Sequence, residues 1–236
     1  MTAAINGKIR QQLETWQRGG RKIVHEADAK NILAIAGISV PSQDREQGPF
    51  AVKLSSDRFP HKTDHGLVQL NVSSADLEAC VSRLQAFDPD GRVLVESMIA
   101  DGIGEWIVGC KHDQTFGPIV LAGPGGIFVE LLDQVEIRLA PTEPKVASAM
   151  LHKGLGAKLL GGLRGKAPAD EAALCDIIVR LSRFFAQHAD LIEEIEINPV
   201  IVRKHGDGAI AADALLVLRQ SLYRVPANRR QHEYGL

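Results

Sequence analysis

Cysteine is scarce and aromatic residues are few: three cysteines, Cys80, Cys110 and Cys175, and only 5% Phe, Trp and Tyr among 236 residues. The cysteines are odd in number and unrelated in spacing. That excludes a disulfide framework and a cysteine-based zinc module, and it points to a reducing compartment. Neither sign of charge dominates. With a formal net charge of −2, the chain has no electrostatic case for binding nucleic acid or an anionic membrane. No apolar run approaches the roughly 18 residues that a membrane span needs. The opening stretch MTAAINGKIRQQLETWQRGG lacks the apolar centre of a secretion signal. These absences together predict a soluble, cytoplasmic protein.

What is present is an ordinary globular composition with 45% apolar and 24% charged residues. The first 22 residues read as a polar, helical arm ending in Gly19-Gly20. EADAKNILAIAG then has helical spacing at Ala29, Ile32, Leu33 and Ile35, with Gly37 placed to end the helix. PFAVKL is a short buried strand carrying Lys53 at its end, and GLVQLNV alternates with Val68, Leu70 and Val72 on one face. Ser73-Ser74 offers a cap for a helix through Phe87, and RVLVESM is a further strand. EWIVGCKHD, PIVLAG, IFVELL and QVEIRLA follow as four strand candidates, and Thr142 with Pro144 opens a short helix. The clearest helix lies behind Asp170, with Leu174, Ile177, Ile178, Leu181, Phe184, Phe185 and His188 at helical spacing. IEEIEINPVIVR and AIAADALLVL flank HGDG as a hairpin. The fold class read from this is α+β in two lobes with a cleft between them. The boundaries are an arm at 1–22, a first lobe at 23–95, a second at 96–218 and a tail at 219–236.

The hairpin carries the most direct chemical argument. Glu196 and Asn198 are two apart on a strand and share a face. With residue 204 opposite 209, Asp213 falls opposite Val200, diagonal to Asn198 on that same face. Hard oxygen donors gathered in this way suit Mg²⁺, which takes one or two carboxylates and leaves the remaining positions to water and phosphate. A solvated polar sheet face is the alternative, and a one-residue slip in register would separate the pair. Lys53 is the lysine that a rigid strand would aim into a cleft, the alternative being a snorkelling surface lysine. The polar stretch SSDRFPHKTDHG between two strands has backbone donors for a phosphate chain, and the Gly-rich turn at Gly125-Gly126 reads as an anion nest. His61 invites a nucleophilic or acid–base role, since imidazole is the side chain that titrates near neutrality, although a lone loop histidine is usually just solvated. Glu96 and Glu105 sit beside apolar strands, where edge solvation competes with a ligand role.

Taken in order, VHEADAKNILAIAGISVP, FAVKLSS, HKTDHG, VLVESMI, GEWIVGCKHDQTFGP, GPGGIFVELL, RLAP, LRG, EIEINP and AADA resemble the ATP-grasp domain of NDP-forming acetyl/acyl-CoA synthetases. They are similar, more distantly, to the succinyl-CoA synthetase β subunit. The resemblance spans about residues 24–217. It implies two α+β lobes gripping ATP or ADP, with Lys53 on the phosphates. Glu96 with the backbone of Ser97 and Met98 would form the adenine hinge, with Glu105 in the nucleotide pocket. Asn198 and Asp213 match Mg²⁺ positions, Glu196 a glutamate that orients a visiting phosphohistidine, and His61 a histidine implicated in phosphoryl relay. The implied reaction is acyl-CoA + ADP + Pi ⇌ carboxylate + CoA + ATP, through an acyl phosphate and a phosphorylated histidine. Because no CoA-binding segment is recognisable here, the resemblance implies a CoA-binding α-type partner that carries the phosphorylatable histidine.

The sequence departs from the family pattern at His65, Leu67 and Pro124 and by a shortened stretch between Pro41 and Ala51. A glycine is usual where Leu67 stands, and glycine permits a close backbone approach that leucine does not. Two other functions compete: a non-catalytic nucleotide-binding or scaffold subunit, and an ATP-grasp carboxylate–amine ligase with its own acceptor pocket.

Overall fold

The structure is a computed structural model that describes residues 3–56, 65–126, 135–162 and 167–220. Two antiparallel sheets organise it. The smaller has three strands in the order β3-β2-β4, namely β2 (Phe50–Ser55), β3 (Val68–Val72) and β4 (Arg92–Ser97). All six residues of β2 are buried, because each of its faces is covered by something different. Phe50, Val52 and Leu54 join Leu67, Leu77, Cys80, Leu84 and Val95 in a core under helix α3 (Leu77–Phe87). Ala51 and Lys53 alternate to the opposite face and line a cleft. Leu67 belongs to the core beneath α3 and is not among the residues that line the cleft, so the leucine expected to hinder a close backbone approach points away from it.

The larger sheet has seven strands. Its path is β1 (Ile23–Val24), β10 (Ala214–Leu218), β8 (Ile192–Val202), β5 (Gly104–Asp113), β6 (Gly117–Pro124) and β7 (Glu136–Leu139), with β9 (Ala209–Ala211) also paired to β8. One face is covered by α6 (Glu171–Gln187), whose Leu174, Ile177, Ile178, Leu181, Phe184 and Phe185 are buried against the strands. Its start is fixed by Asp170, which accepts from the Ala173 N–H at 3.1 Å and from the Gly206 and Gly208 N–H groups at 3.0 and 2.9 Å. One carboxylate therefore caps the helix and pins the β8–β9 turn. Helices α4 (Pro144–Leu151) and α5 (Gly156–Leu160) complete this layer. The N-cap of α4 is Glu143 rather than Thr142, and Thr142 is buried with its N–H on Ser182 Oγ.

The expected lobe boundaries differ from this packing. Helix α1 (Ala3–Arg18) buries Ile9 and Leu13, and α2 (Glu26–Ile35) buries Ala29, Ile32 and Leu33, all in the larger core. β1 pairs with β10. The segment before the cleft is thus part of the larger lobe, and the smaller lobe begins at β2. α2 is capped by Ala36 and followed by Gly37, whose φ of +84° suits glycine. The strand expected at IFVELL lies outside the described residues. No helix among the described residues is long and apolar enough to cross a membrane.

Candidate functional site

A cleft of about 570 Å³ separates the two sheets. Lys53 and Glu96 reach it from the smaller lobe, and Glu105, Asn198 and Asp213 from the larger one. Val68, Leu70, Met98 and Ile201 give it an apolar section, which explains why Leu70 is left 56% exposed on β3.

The register of the hairpin differs from expectation. Val200 pairs with Ala211 and Ile201 with Ile210, while β10 places Ala214 opposite Ile197. This alignment is shifted by two residues from the expected one and brings Asp213 level with Asn198 instead of Val200. A shift of two preserves the face, so both side chains still line the cleft. β8 also has an irregularity against β5: Trp106 pairs with Val200 but Val108 with Ile197. Asn198 and Pro199 together therefore oppose Ile107, a bulge of the kind that re-aims side chains beside sites. Glu196, one alternation back, is half-buried and does not line the cleft.

Behind the cleft lies a charged cluster that sequence reasoning missed. Lys30, Glu26, Lys53 and Glu96 are only 1%, 2%, 5% and 1% exposed. Lys30 Nζ donates to both Glu96 carboxylate oxygens at 2.6 Å and to the Ala212 carbonyl at 2.6 Å, and it pairs with Glu26 Oε1 at 2.8 Å. Lys53 Nζ donates to Glu26 Oε1 at 3.0 Å and to the Ala212 carbonyl, and lies 3.2 Å from Glu96 Oε2. Two ammonium groups and two carboxylates balance, which is what lets them be buried together. Burial pulls both lysines toward neutrality. For Lys53 the Glu26, Asp213 and Glu96 carboxylates outweigh it and hold the ammonium above its usual pKa. For Lys30 burial, reinforced by the Lys53 charge, wins over Glu26 and Glu96 and leaves the pKa lowered.

The Ala212 carbonyl is available to both lysines for a simple reason. The Ala212 N–H donates to the Pro199 carbonyl at 3.0 Å, so these residues face each other as a hydrogen-bonded pair. A residue with an N–H at 199 would return a bond to the Ala212 oxygen, and proline cannot. A sequence signal for the cluster did exist. Glu26 and Lys30 stand four apart on the same helical stripe as Ala29 and Leu33, charged residues on an apolar face.

Several expected placements change. Glu96 directs its carboxylate to the lysines rather than outward as part of a base hinge. The Ser97 and Met98 N–H groups donate to the Ser42 and Pro49 carbonyls at 2.8 and 3.0 Å, because the 42–49 segment packs along the end of β4. Both residues still line the cleft, but with those two donors already engaged. Gly125 and Gly126 are not cleft residues. The Gly125 N–H donates to the Glu105 carbonyl at 2.7 Å, and a Cβ at Gly125 would come within 2.8 Å of Trp106 N. Gly125 is thus required by close strand packing behind Glu105. His61 lies outside the described residues.

Among the described residues no three His, Cys, Asp or Glu side chains cluster to hold a metal ion. Asn198 and Asp213 nonetheless offer two hard oxygen donors facing the Lys53 side of the cleft, which fits a cation that takes its other ligands from water and phosphate.

Comparison with known proteins identifies the family and the fold. The model of the ATP-grasp domain matches residues 15–218. The β subunit of acetate–CoA ligase [ADP-forming] II from Pyrococcus furiosus is 32% identical over 236 residues, covering 91% of this chain and all of that protein. Acetate–CoA ligase [ADP-forming] I from Archaeoglobus fulgidus is 38% identical over 165 residues, covering 67% of this chain but only 24% of that longer protein. Among solved structures, the Ca. Korarchaeum cryptofilum dinucleotide-forming acetyl-coenzyme A synthetase 1 matches with a TM-score of 0.78 and 31% identity, over 89% of this chain and 99% of that chain. That structure is a complex with coenzyme A and Mg-AMPPCP, its phosphohistidine segment pointing towards the nucleotide-binding site.

Proposed function

The chain belongs to the ATP-grasp family, and from that premise we propose that it is the nucleotide-binding β-type subunit of an ADP-forming acyl-CoA synthetase. The reaction would be acyl-CoA + ADP + Pi ⇌ carboxylate + CoA + ATP. The observation that carries this reading is the cleft itself: Lys53 on one wall, Asn198 and Asp213 on the other, and an apolar section beside them. Full-length similarity to a separately encoded β subunit supports a chain that works with an α-type partner. The partner would bind CoA and bring a phosphorylatable histidine to the cleft.

The chemistry asked of this chain is positioning and charge compensation, because a transferring phosphoryl group spreads negative charge over its oxygens. Lys53, kept protonated by three carboxylates, would hold the phosphates. Asn198 and Asp213 would hold Mg²⁺, which supplies charge neutralisation at the phosphate oxygens when bound. Val68, Leu70 and Met98 would cover the base, and Glu105 would belong to the ribose end of the pocket. Glu196, further along β8, would orient the visiting histidine by accepting from its ring, and His61 would serve as a relay.

The test is transfer. With γ-labelled ATP, Mg²⁺ and the CoA-binding partner, acid-labile label should appear on a histidine of the partner and be discharged by ADP. Nucleotide binding without any label would establish a scaffold subunit, and release of the label as inorganic phosphate only when a carboxylate and an amine are supplied and become joined would establish a carboxylate–amine ligase.

A further inference from the structure

We infer that Glu26 and Lys30 of α2 are positioning residues for the nucleotide phosphates: they hold Lys53 in place and keep Glu96 from capturing it. The inference rests on Lys53 being the phosphate-binding lysine.

The argument begins with the donor count of Lys53. An ammonium has three N–H donors. Two are directed at Glu26 Oε1 and the Ala212 carbonyl, both in the larger lobe. The third has Glu96 Oε2 at 3.2 Å, the longest contact in the cluster. Glu96 is simultaneously held by Lys30 through both oxygens at 2.6 Å. Its charge is therefore satisfied without Lys53. A phosphate entering the cleft can accept a hydrogen bond from the third Lys53 N–H while Glu26 and Ala212 keep the nitrogen where it is. Lacking Lys30, the nearest carboxylate to Lys53 on its own sheet would be an unpaired, buried Glu96, and the lysine would be drawn to it.

Stability alone does not account for the arrangement. Four nearly dry charges are no more stabilising than well-packed apolar residues of similar volume. α2 is also anchored independently, its Glu26 N–H donating to Ser55 Oγ of β2 at 3.0 Å. What the charges add is direction. They fix an ammonium on the smaller lobe relative to Asn198 and Asp213 on the larger one. Pro199 takes part by leaving the Ala212 oxygen to the lysines.

The test compares two variants that keep the cluster's charge balanced. E26Q/K30M removes one charge of each sign and leaves Lys53 with Glu96. E26D retains every charge but withdraws the carboxylate from Lys53 by one methylene. Affinities for Mg-ATP and for adenosine are measured by equilibrium titration on the full chain, with K53M as reference. Each variant should weaken Mg-ATP by roughly tenfold or more, the scale of a lost charge-assisted hydrogen bond, and leave adenosine unchanged. Variants that bind Mg-ATP like wild type while K53M does not would overturn the inference. So would variants that lose ATP and adenosine in the same proportion, since the cluster would then only hold the fold together. A K53M chain that binds Mg-ATP normally would instead remove the phosphate reading of Lys53. If the double variant does not fold, E26D decides alone.

Discussion

Replacing Lys30 by methionine isolates what the buried cluster does for stability. The ammonium lies 2.6 Å from both Glu96 oxygens and 2.8 Å from Glu26, and is 1% exposed. Its removal leaves Glu26 and Glu96 to share one lysine in a site that is almost fully buried. Breaking one partner of a buried ion pair costs about 3–5 kcal/mol. For a chain of this size, at roughly 2–4 °C per kcal/mol, the melting temperature should fall by about 6–20 °C. E26Q/K30M restores neutrality, so it should recover at least about half of that loss, and a double-mutant cycle should show strong coupling between the two positions. Thermal unfolding by circular dichroism of wild type, both single variants and the double variant is the assay. A K30M chain within about 2 °C of wild type, or a double variant whose loss is the sum of the singles, would refute the reasoning.

Other consequences follow from the same geometry. Asp170→Ala should cost about 1–2 kcal/mol as a lost helix cap, with additional fraying of the 204–208 turn visible in amide exchange. Burial raises the Asp170 pKa, but the N–H donors of Ala173, Gly208 and Gly206 outweigh it and depress the folded value. The stabilisation is therefore present above the unfolded carboxylate pKa of about 3.9 and is lost as pH falls through the lower folded value. The stability gap between wild type and Asp170→Ala should accordingly close in acid, and a gap that widens there would contradict this assignment. Gly125→Ala should cost about 1–3 kcal/mol by forcing a methyl onto the backbone of Glu105 and Trp106, measurable as a lowered urea midpoint. An unchanged midpoint would mean that the two strands separate easily.

The local patterns were largely legible in the sequence, and the long-range relations less so. The apolar stripe behind Asp170 became α6, and the alternation in GLVQLNV became β3 with Leu70 turned to the cleft. The hairpin was found, but its register was misplaced by two. The sequence suggests a turn that sets 204 opposite 209, whereas Arg203 pairs across to Gly208 and the ladder runs on from there. Turn type sets register, and two glycines with positive φ at 206 and 208 allow more than one closure. Asn198 and Asp213 still line the cleft together, because a shift of two residues between their strands leaves both on the same face. The placement of α2 was missed for a different reason. Amphipathic spacing shows that a helix is buried, not against which sheet, so a segment adjoining the smaller lobe in sequence was assigned to it. Glu26 and Lys30 are hard to read as a site for the same reason, since their partners Glu96 and Ala212 are distant in the chain and only tertiary structure brings them together.

The most direct measurement is calorimetric titration of ATP into the chain with and without Mg²⁺, repeated with Asp213→Asn. A cleft that sets Lys53 against Asn198 and Asp213 should bind ATP in a Mg²⁺-dependent way, and the substitution should abolish most of that dependence while metal-free binding persists. Heat signals absent for every nucleotide, or Mg²⁺ dependence unchanged in Asp213→Asn, would contradict the account.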